Sequence, residues 1–244
     1  MGCAGSFPNP DSACSAHLVE AEGFRLLLDM GNGSLGALQR HIGLHDLDAV
    51  FISHLHGDHC LDLCAYAVAR RYAPDGSYGQ LPVYGPAGTA HRLASAYAVD
   101  GVHGQLDDVY AEHVLRPGVL EVGPLQLQVD QVNHPVETYA VRVSHGGRSL
   151  TYSADTGESP ALIALARDTD TLLCEASFTA ERPNPPDLHL TGGQAGEHAA
   201  RAGAGRLLLT HLTAWSDADR TLGEAKAAYD GDTVVVASGQ SYDI

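Results

Sequence analysis

Cations are scarce in this chain, 14 against 30 acidic residues. Lys226 is its only lysine, and the formal charge is -16 over 244 residues. Such a surface repels polyanions, and no local basic patch offsets it, so long RNA or DNA is not an expected partner. No apolar run approaches the ~20 residues of a membrane span, and no basic segment followed by an apolar one opens the chain. No membrane partner is expected. Cysteine is sparse too: Cys3, Cys14, Cys60, Cys64 and Cys174 make five, an odd number without zinc-ribbon spacing. The reading is reduced thiols in a cytoplasmic protein. Cys60 and Cys64 sit four apart on a helical pattern and are expected to pack rather than to bind metal. Residue-level repeats and flexible linkers are also missing, so residues 1–244 are read as one domain, long enough for one large α/β core.

What the chain does have is histidine, concentrated in His54-Leu55-His56-Gly57-Asp58-His59. The apolar run Ala49-Val50-Phe51-Ile52 leads into this stretch, and a helical pattern from Cys60 to Arg71 follows it. A buried strand ending in a loop and then a helix can present several ligands at once. Imidazole and carboxylate suit zinc, and less selectively manganese or iron. In an extended loop His54 and His56 point the same way. Asp58 and His59 then turn toward a second position, an arrangement more natural for two adjacent ions than for one. A merely polar surface loop would explain the histidines alone, but further ligands follow downstream.

Taken in order, the start through Ser15 reads as loop, and 17–22 and 24–29 as two strands around Glu22-Gly23. Asp29 ends an apolar run, either as a turn-former or as an anchor behind the metal loops. Ser34 is placed to cap a helix over 35–42. Strands are expected at 81–84, 107–113, 118–122 and 125–132, with a helix at 89–98 between the first two. A hairpin over His145-Gly146-Gly147-Arg148 joins 139–144 to 149–153. Helices at 160–167, 191–201 (capped by Thr191) and 216–229 then alternate with strands at 171–175, 206–210 and 233–237. Strands cluster centrally with helices in both halves, which suggests two sheets with helices outside.

His134, Asp155 and His211 each follow an apolar strand and begin a loop. Ligands at strand ends are held rigidly by the sheet. Together with the six-residue motif they complete two sites. H-x-H-x-D-H after an apolar strand, then His134, then Asp155 in Tyr152-Ser153-Ala154-Asp155-Thr156, then His211 in Leu208-Leu209-Thr210-His211, resembles the metallo-β-lactamase superfamily. The resemblance runs from about Gly2 to the C-terminus. Within the superfamily the chain is similar to the branch holding tRNase Z and small bacterial cyclic-nucleotide phosphodiesterases, through 32–39, Cys174-Glu175-Ala176-Ser177 and 186–192. The resemblance implies an αββα sandwich of two mixed sheets with helices on the outer faces. It implies one ion held by His54, His56 and His134, another by Asp58, His59 and His211, and Asp155 bridging both. It also suggests a homodimer, and a strand before the glycine-rich loop that here begins at Gly2.

The activity implied is metal-dependent hydrolysis of a small phosphodiester, a 3′,5′-cyclic nucleotide such as cyclic AMP giving the 5′-monophosphate, by metal-activated water. Asp58 would orient or deprotonate that water. An alkoxide leaving group wants a proton; His189 is the candidate donor and Glu175 its orienter. RNA 3′ processing of the tRNase Z kind competes. Against it, Cys174 stands where that group usually has His, and only a hairpin fits between His134 and Asp155, where bacterial members carry a long tRNA-gripping arm. A carboxyl hydrolase, a lactonase or thioesterase, competes as well, because the same metals can activate water against a carbonyl. So does an inactive protein that only binds metal or nucleotide.

Overall fold

The computed structural model describes residues 1–76, 78–99 and 104–244, and the statements below concern those. The opening segment is not wholly loop. Gly2–Ala4 (β1) and Ala13–Cys14 (β2) pair in parallel. Strands this short carry no periodicity that a sequence could display.

The first sheet takes His17–Ala21 (β3), Phe24–Leu28 (β4), Ala49–Phe51 (β5), Leu81–Gly85 (β6) and Tyr110–Val114 (β7), side by side in that order. β3 and β4 form an antiparallel hairpin; the others run parallel. β7 starts later than the alternation predicts, because Val109 and Tyr110 donate their N–H groups to the carbonyl of Leu106 in a turn. Four helices cover this sheet: Ser34–Leu38 (α1), Gly57–Cys60 (α2), Asp62–Arg71 (α3) and Thr89–Tyr97 (α4). Ser34 does not cap α1. Gly33 holds the cap position, Ser34 is the first helical residue, and the Asp62 carboxylate accepts from the Leu35 N–H at 2.8 Å. A carboxylate at a helix N-terminus satisfies an orphan donor and suits the dipole.

The second sheet has seven strands: Gly118–Val122 (β8), Leu125–Gln131 (β9), Tyr139–His145 (β10), Arg148–Tyr152 (β11), Thr171–Glu175 (β12), Arg206–Thr210 (β13) and Asp232–Val235 (β14). β8 to β11 are antiparallel, and β11 to β14 parallel. Its outer helices are Pro160–Leu165 (α5), Gly192–Ala202 (α6) and Ala218–Ala228 (α7). α6 opens on a capping box in which Thr191 and Gln194 each serve the other's backbone N–H.

Three apolar clusters give the layers. Leu38, Leu63, Tyr66 and Leu93 pack helices on the first sheet, and Leu162, Ala195, Ala199 and Ala225 pack helices on the second. Leu26, Leu28 and Phe51 of the first sheet meet Leu127, Val141 and Leu208 of the second. The result is the expected αββα sandwich of two mixed sheets. β4 and β5 run parallel, so their C-terminal ends share one edge of the first sheet. In the second sheet β9, β11, β12 and β13 likewise share a direction. Loops leaving those ends gather where ligands bind in such sheets.

Candidate metal centre

Past β4, β11 and β13 lie non-glycine residues with left-handed backbone: Asp29 (φ 62°), Ala154 (φ 54°) and His211 (φ 60°). Such conformations cost about 1–3 kcal/mol each and persist only where surroundings hold them. Here they turn the chain sharply out of β4, β11 and β13 to present Asp29, Asp155 and His211. Asp29 is 0 % exposed and is both of the things its sequence position suggests. It forms the turn, and it anchors the loops. One carboxylate oxygen accepts from the Ser53 N–H at 2.7 Å; the other accepts from Ser53 Oγ (2.8 Å), Tyr152 OH (2.8 Å) and His59 Nδ1 (2.7 Å). Beside it Gly31 passes so close to the motif that a Cβ there would lie 1.8 Å from the Asp58 carbonyl oxygen.

The structure brings all seven predicted ligands into two adjoining clusters that share Asp155. One holds His54, His56, His134 and Asp155; the other holds Asp58, His59, Asp155 and His211. Within each, the ligand atoms lie within 4.8 Å of one another.

Neighbours settle which imidazole nitrogen carries the proton in four of the five rings. Ser53 Oγ gives its own hydrogen to Asp29, so it accepts from His54 Nδ1 at 3.0 Å. Ser177 Oγ gives its hydrogen to the His211 carbonyl, so it accepts from His211 Nδ1 at 2.8 Å. His134 Nδ1 donates to the Leu188 carbonyl at 2.9 Å, and His59 Nδ1 to Asp29. Four rings therefore aim a bare Nε2 inward, and His56 presents Nδ1. These nitrogens face each other: His54 Nε2 and His56 Nδ1 at 3.0 Å, His134 Nε2 and His56 Nδ1 at 3.3 Å, His59 Nε2 and His211 Nε2 at 3.2 Å. Where both are bare, as the Nδ1 contacts of His59 and His211 imply for that pair, lone pairs opposed at that range repel unless a cation lies between them. One Asp155 oxygen is buried without a hydrogen-bond donor, an unmet acceptor that a metal would satisfy.

The electrostatics agree with the donor set. Burial, then the charge of His59, holds the His54 pKa well below its usual value, and burial likewise lowers those of His56 and His134. Metal ligation needs neutral imidazole. Burial also opposes charge on His59, yet Asp155 and Asp29 facing it raise its pKa well above normal. Those carboxylates create a potential that favours positive charge. Burial would raise the Asp58 pKa, but the His211 and His59 rings, whose Nε2 atoms lie 3.2 and 3.4 Å from Oδ2, outweigh it and hold the carboxyl well below the usual range.

The two remaining predicted residues form a pair at the rim. His189 Nδ1 lies 2.8 Å from Glu175 Oε1. Glu175 is fully buried and also accepts from the N–H groups of Thr156, Ser177 and Leu190. With its oxygens so engaged, it is placed to hold His189 rather than to bind an ion. Burial alone would lower the His189 pKa; the Glu175 carboxylate outweighs burial and lifts it to about 9. Its ring centroid is 5.6 Å from that of His134 and 5.5 Å from that of His211, so it stands over the junction of the clusters. Ser53, Tyr152 and Ser177, which fix ligand tautomers directly or through Asp29, are not apparent in the sequence. Only their position one to three residues from a candidate ligand or from Glu175 hints at them.

Comparison with known proteins places this geometry. Residues 25–212 match the family model described as a beta-lactamase superfamily domain. A Mycobacterium leprae protein, ML1173, is 42% identical, the match covering 100% of this chain and 87% of that one. The probable metallo-hydrolase YhfI of Bacillus subtilis is 31% identical over 98% of this chain and 96% of its own. Its crystal structure superposes with a TM-score of 0.86 at 29% identity, covering 98% of this chain and 95% of that one. The short form of human tRNase Z shares the fold, with a TM-score of 0.77 at 19% identity over 98% of this chain and 95% of its own. The family match spans the strands that carry all seven candidate ligands, and the chain belongs to the beta-lactamase superfamily as a metal-dependent hydrolase.

Proposed function

We propose that the protein is a phosphodiesterase that opens 3′,5′-cyclic nucleotides, cyclic AMP first among them, to 5′-monophosphates. His54, His56 and His134 would hold one divalent ion, Asp58, His59 and His211 a second, and Asp155 both; zinc suits the donors best, with manganese or iron next. When bound, such a pair supplies Lewis-acid polarisation and a water acidic enough to act at neutral pH. The chain's own residues do the rest. Asp58 is ionised and can orient that water or take its proton. Asp29, Ser53, Ser177 and the Leu188 carbonyl keep the ligand rings from rotating.

The observation that carries the reading is the His189–Glu175 pair, with Nδ1 held by the buried carboxylate at 2.8 Å. That contact fixes the ring with Nε2 free to donate toward the leaving oxygen. A neighbouring carboxylate keeps it protonated at neutral pH, and two dications nearby would bring its pKa down toward the operating range where a general acid works best. A ribose alkoxide needs that proton; a nitrophenolate does not. His189→Ala should therefore slow cyclic AMP hydrolysis by about 10²–10⁴-fold, spare bis-(p-nitrophenyl) phosphate, and leave metal content unchanged. Asp58→Ala should slow both substrates. Equal losses on both substrates for His189→Ala would make His189 a binding or structural residue.

RNA 3′ processing is the reading to beat, given the shared fold with tRNase Z. Between His134 and Asp155 this chain has only β10, β11 and their turn, and its charge is -16. Site-specific cleavage of a tRNA precursor at physiological salt would reverse the preference. Hydrolysis of lactones with no turnover of any cyclic nucleotide would make the enzyme a carboxyl hydrolase.

A further inference from the structure

Two exposed aromatic side chains come from segments joined to the loops of the clusters. The rings of Phe7 and Trp215 have centroids 5.0 Å apart, tilted by 46°. Phe7 is 36% exposed, and Trp215, the only tryptophan, is 73% exposed. They come from opposite ends of the chain, yet both segments are fastened to metal-ligand loops. Ala4 bridges Leu212, and Gly5 N–H donates to the Leu212 carbonyl at 2.9 Å. Gly5 permits the approach: a Cβ there would lie 2.3 Å from the His211 carbonyl oxygen. The next residue, Ser6, has φ 64° and donates its N–H to Asp58 Oδ2 at 3.0 Å. The Phe7 N–H closes back on the Gly5 carbonyl at 2.8 Å, the three-residue turn that is rare and strained when φ is positive. Trp215 lies four residues beyond His211, in a turn closed by Ser216 N–H on the Thr213 carbonyl (2.9 Å) and by the Thr213–Ser216 hydroxyl pair (2.7 Å).

The segments bearing the rings are thus tied to the clusters, while most of Trp215 remains in water. Indole and phenyl faces stack on planar heterocycles, and each base stacked so is stabilised without regard to its sequence identity. The tilt between the rings lets one base lie flat on only one of them. Trp215 is the more exposed, and Phe7 is joined through Ser6 to Asp58. Resting on the phosphodiesterase reading above, we infer that Trp215, braced by Phe7, is the stacking surface for the substrate's nucleobase, reached when the phosphate sits at the metal clusters. Trp215 then sets affinity for base-bearing substrates, and Phe7 is a positioning residue.

The lone tryptophan makes the test direct, since its fluorescence can be excited apart from the ten tyrosines. Metal-loaded protein is titrated with AMP and, separately, with ribose 5-phosphate. AMP should perturb the emission and the base-free phosphate should not. In kinetics, Trp215→Ala should raise KM for cyclic AMP by about 5- to 100-fold with little change in kcat, and leave base-free cyclic ribose 3′,5′-phosphate unaffected. Trp215→Phe should restore most of the loss, and Phe7→Ala should raise KM less than Trp215→Ala. An unchanged KM in Trp215→Ala, or equal fluorescence responses to the two ligands, overturns the inference. So does a Trp215→Ala variant that turns a dimer into a monomer in sedimentation with KM intact, because the pair is then a subunit contact. The two readings fail separately. An enzyme that hydrolyses cyclic AMP with an unresponsive Trp215 keeps the reaction and loses the platform. A protein that ignores cyclic AMP but shows the selective response to AMP keeps the platform and loses the reaction.

Discussion

Asp29 shows how much one residue outside the ligand set can decide. Its two oxygens take four hydrogen bonds, from the Ser53 backbone, Ser53 Oγ, Tyr152 and His59. Replacing it by Asn removes the charge and turns one acceptor into a donor, leaving buried donors unmet at about 1–3 kcal/mol apiece. It also frees the His59 ring, and loss of a partner behind a ligand typically costs about 10–100-fold in metal affinity. Asp29→Asn should therefore show both a lower unfolding temperature without metal and weaker metal retention against a chelator; Tyr152→Phe, which deletes one bond of the four, should show a smaller version of each. Metal retention equal to wild type would mean that His59 is held by packing alone. The sequence exposes Asp29 as a polar residue closing an apolar run, and does no more. Its partners lie up to 123 positions away, and no local pattern marks Tyr152 as the hydroxyl that reaches it. Ser177 is hidden for the same reason, being one hydroxyl among many until β12 and β13 are side by side.

The periodic elements are legible where pattern and boundary chemistry agree. Thr191 with Gln194 announces α6, and the strands 118–122, 171–175 and 206–210 have the expected bounds. Elements defined by tertiary contact are not legible: β1 and β2 are too short for periodicity, and the cap of α1 comes from Asp62, 27 positions on. A second histidine matters at this scale. His198 of α6 donates from Nδ1 to the Gln194 carbonyl at 2.8 Å and accepts at Nε2 from the Ser159 N–H at 3.0 Å, joining α6 to the start of α5. That pairing requires the neutral ring, and burial, against the Gln194 contact, lowers its pKa below the usual 6.5. The folded state then binds fewer protons than the unfolded one, so the stability from His198 is present above about pH 6.5 and is lost as pH falls below it. Urea unfolding of metal-free protein should give a larger stability loss between pH 7.5 and 5.5 for wild type than for His198→Gln. Equal losses would assign the pH dependence to the remaining histidines.

For the whole molecule, the number of ligands sets the expected stoichiometry. Seven are too many for one tetrahedral ion, so protein purified without chelator should approach two equivalents of metal by elemental analysis. Asp155→Ala should lose more metal than any single histidine change, since it removes a ligand from both ions; full activity at one equivalent would contradict that bridging role. Composition and strand order along the chain imply α/β layers, but the αββα arrangement comes from the ligand motif and its resemblance to a family. Pairing between sheets is a long-range choice that propensity does not encode. The candidate ligands straddle the seam between the sheets: His59 is in α2, which follows β5 of the first, and His211, 152 positions later, follows β13 of the second. In the language of polymer physics, a metal held by both is a reversible cross-link closing a very long loop of chain. Closing loops of around 100 residues restricts the unfolded ensemble by an amount comparable to a disulfide, about 4–5 kcal/mol. A protein with five unpaired cysteines would thus gain from its metals the kind of tether that other chains obtain from sulfur, one that a chelator, rather than a reductant, would cut.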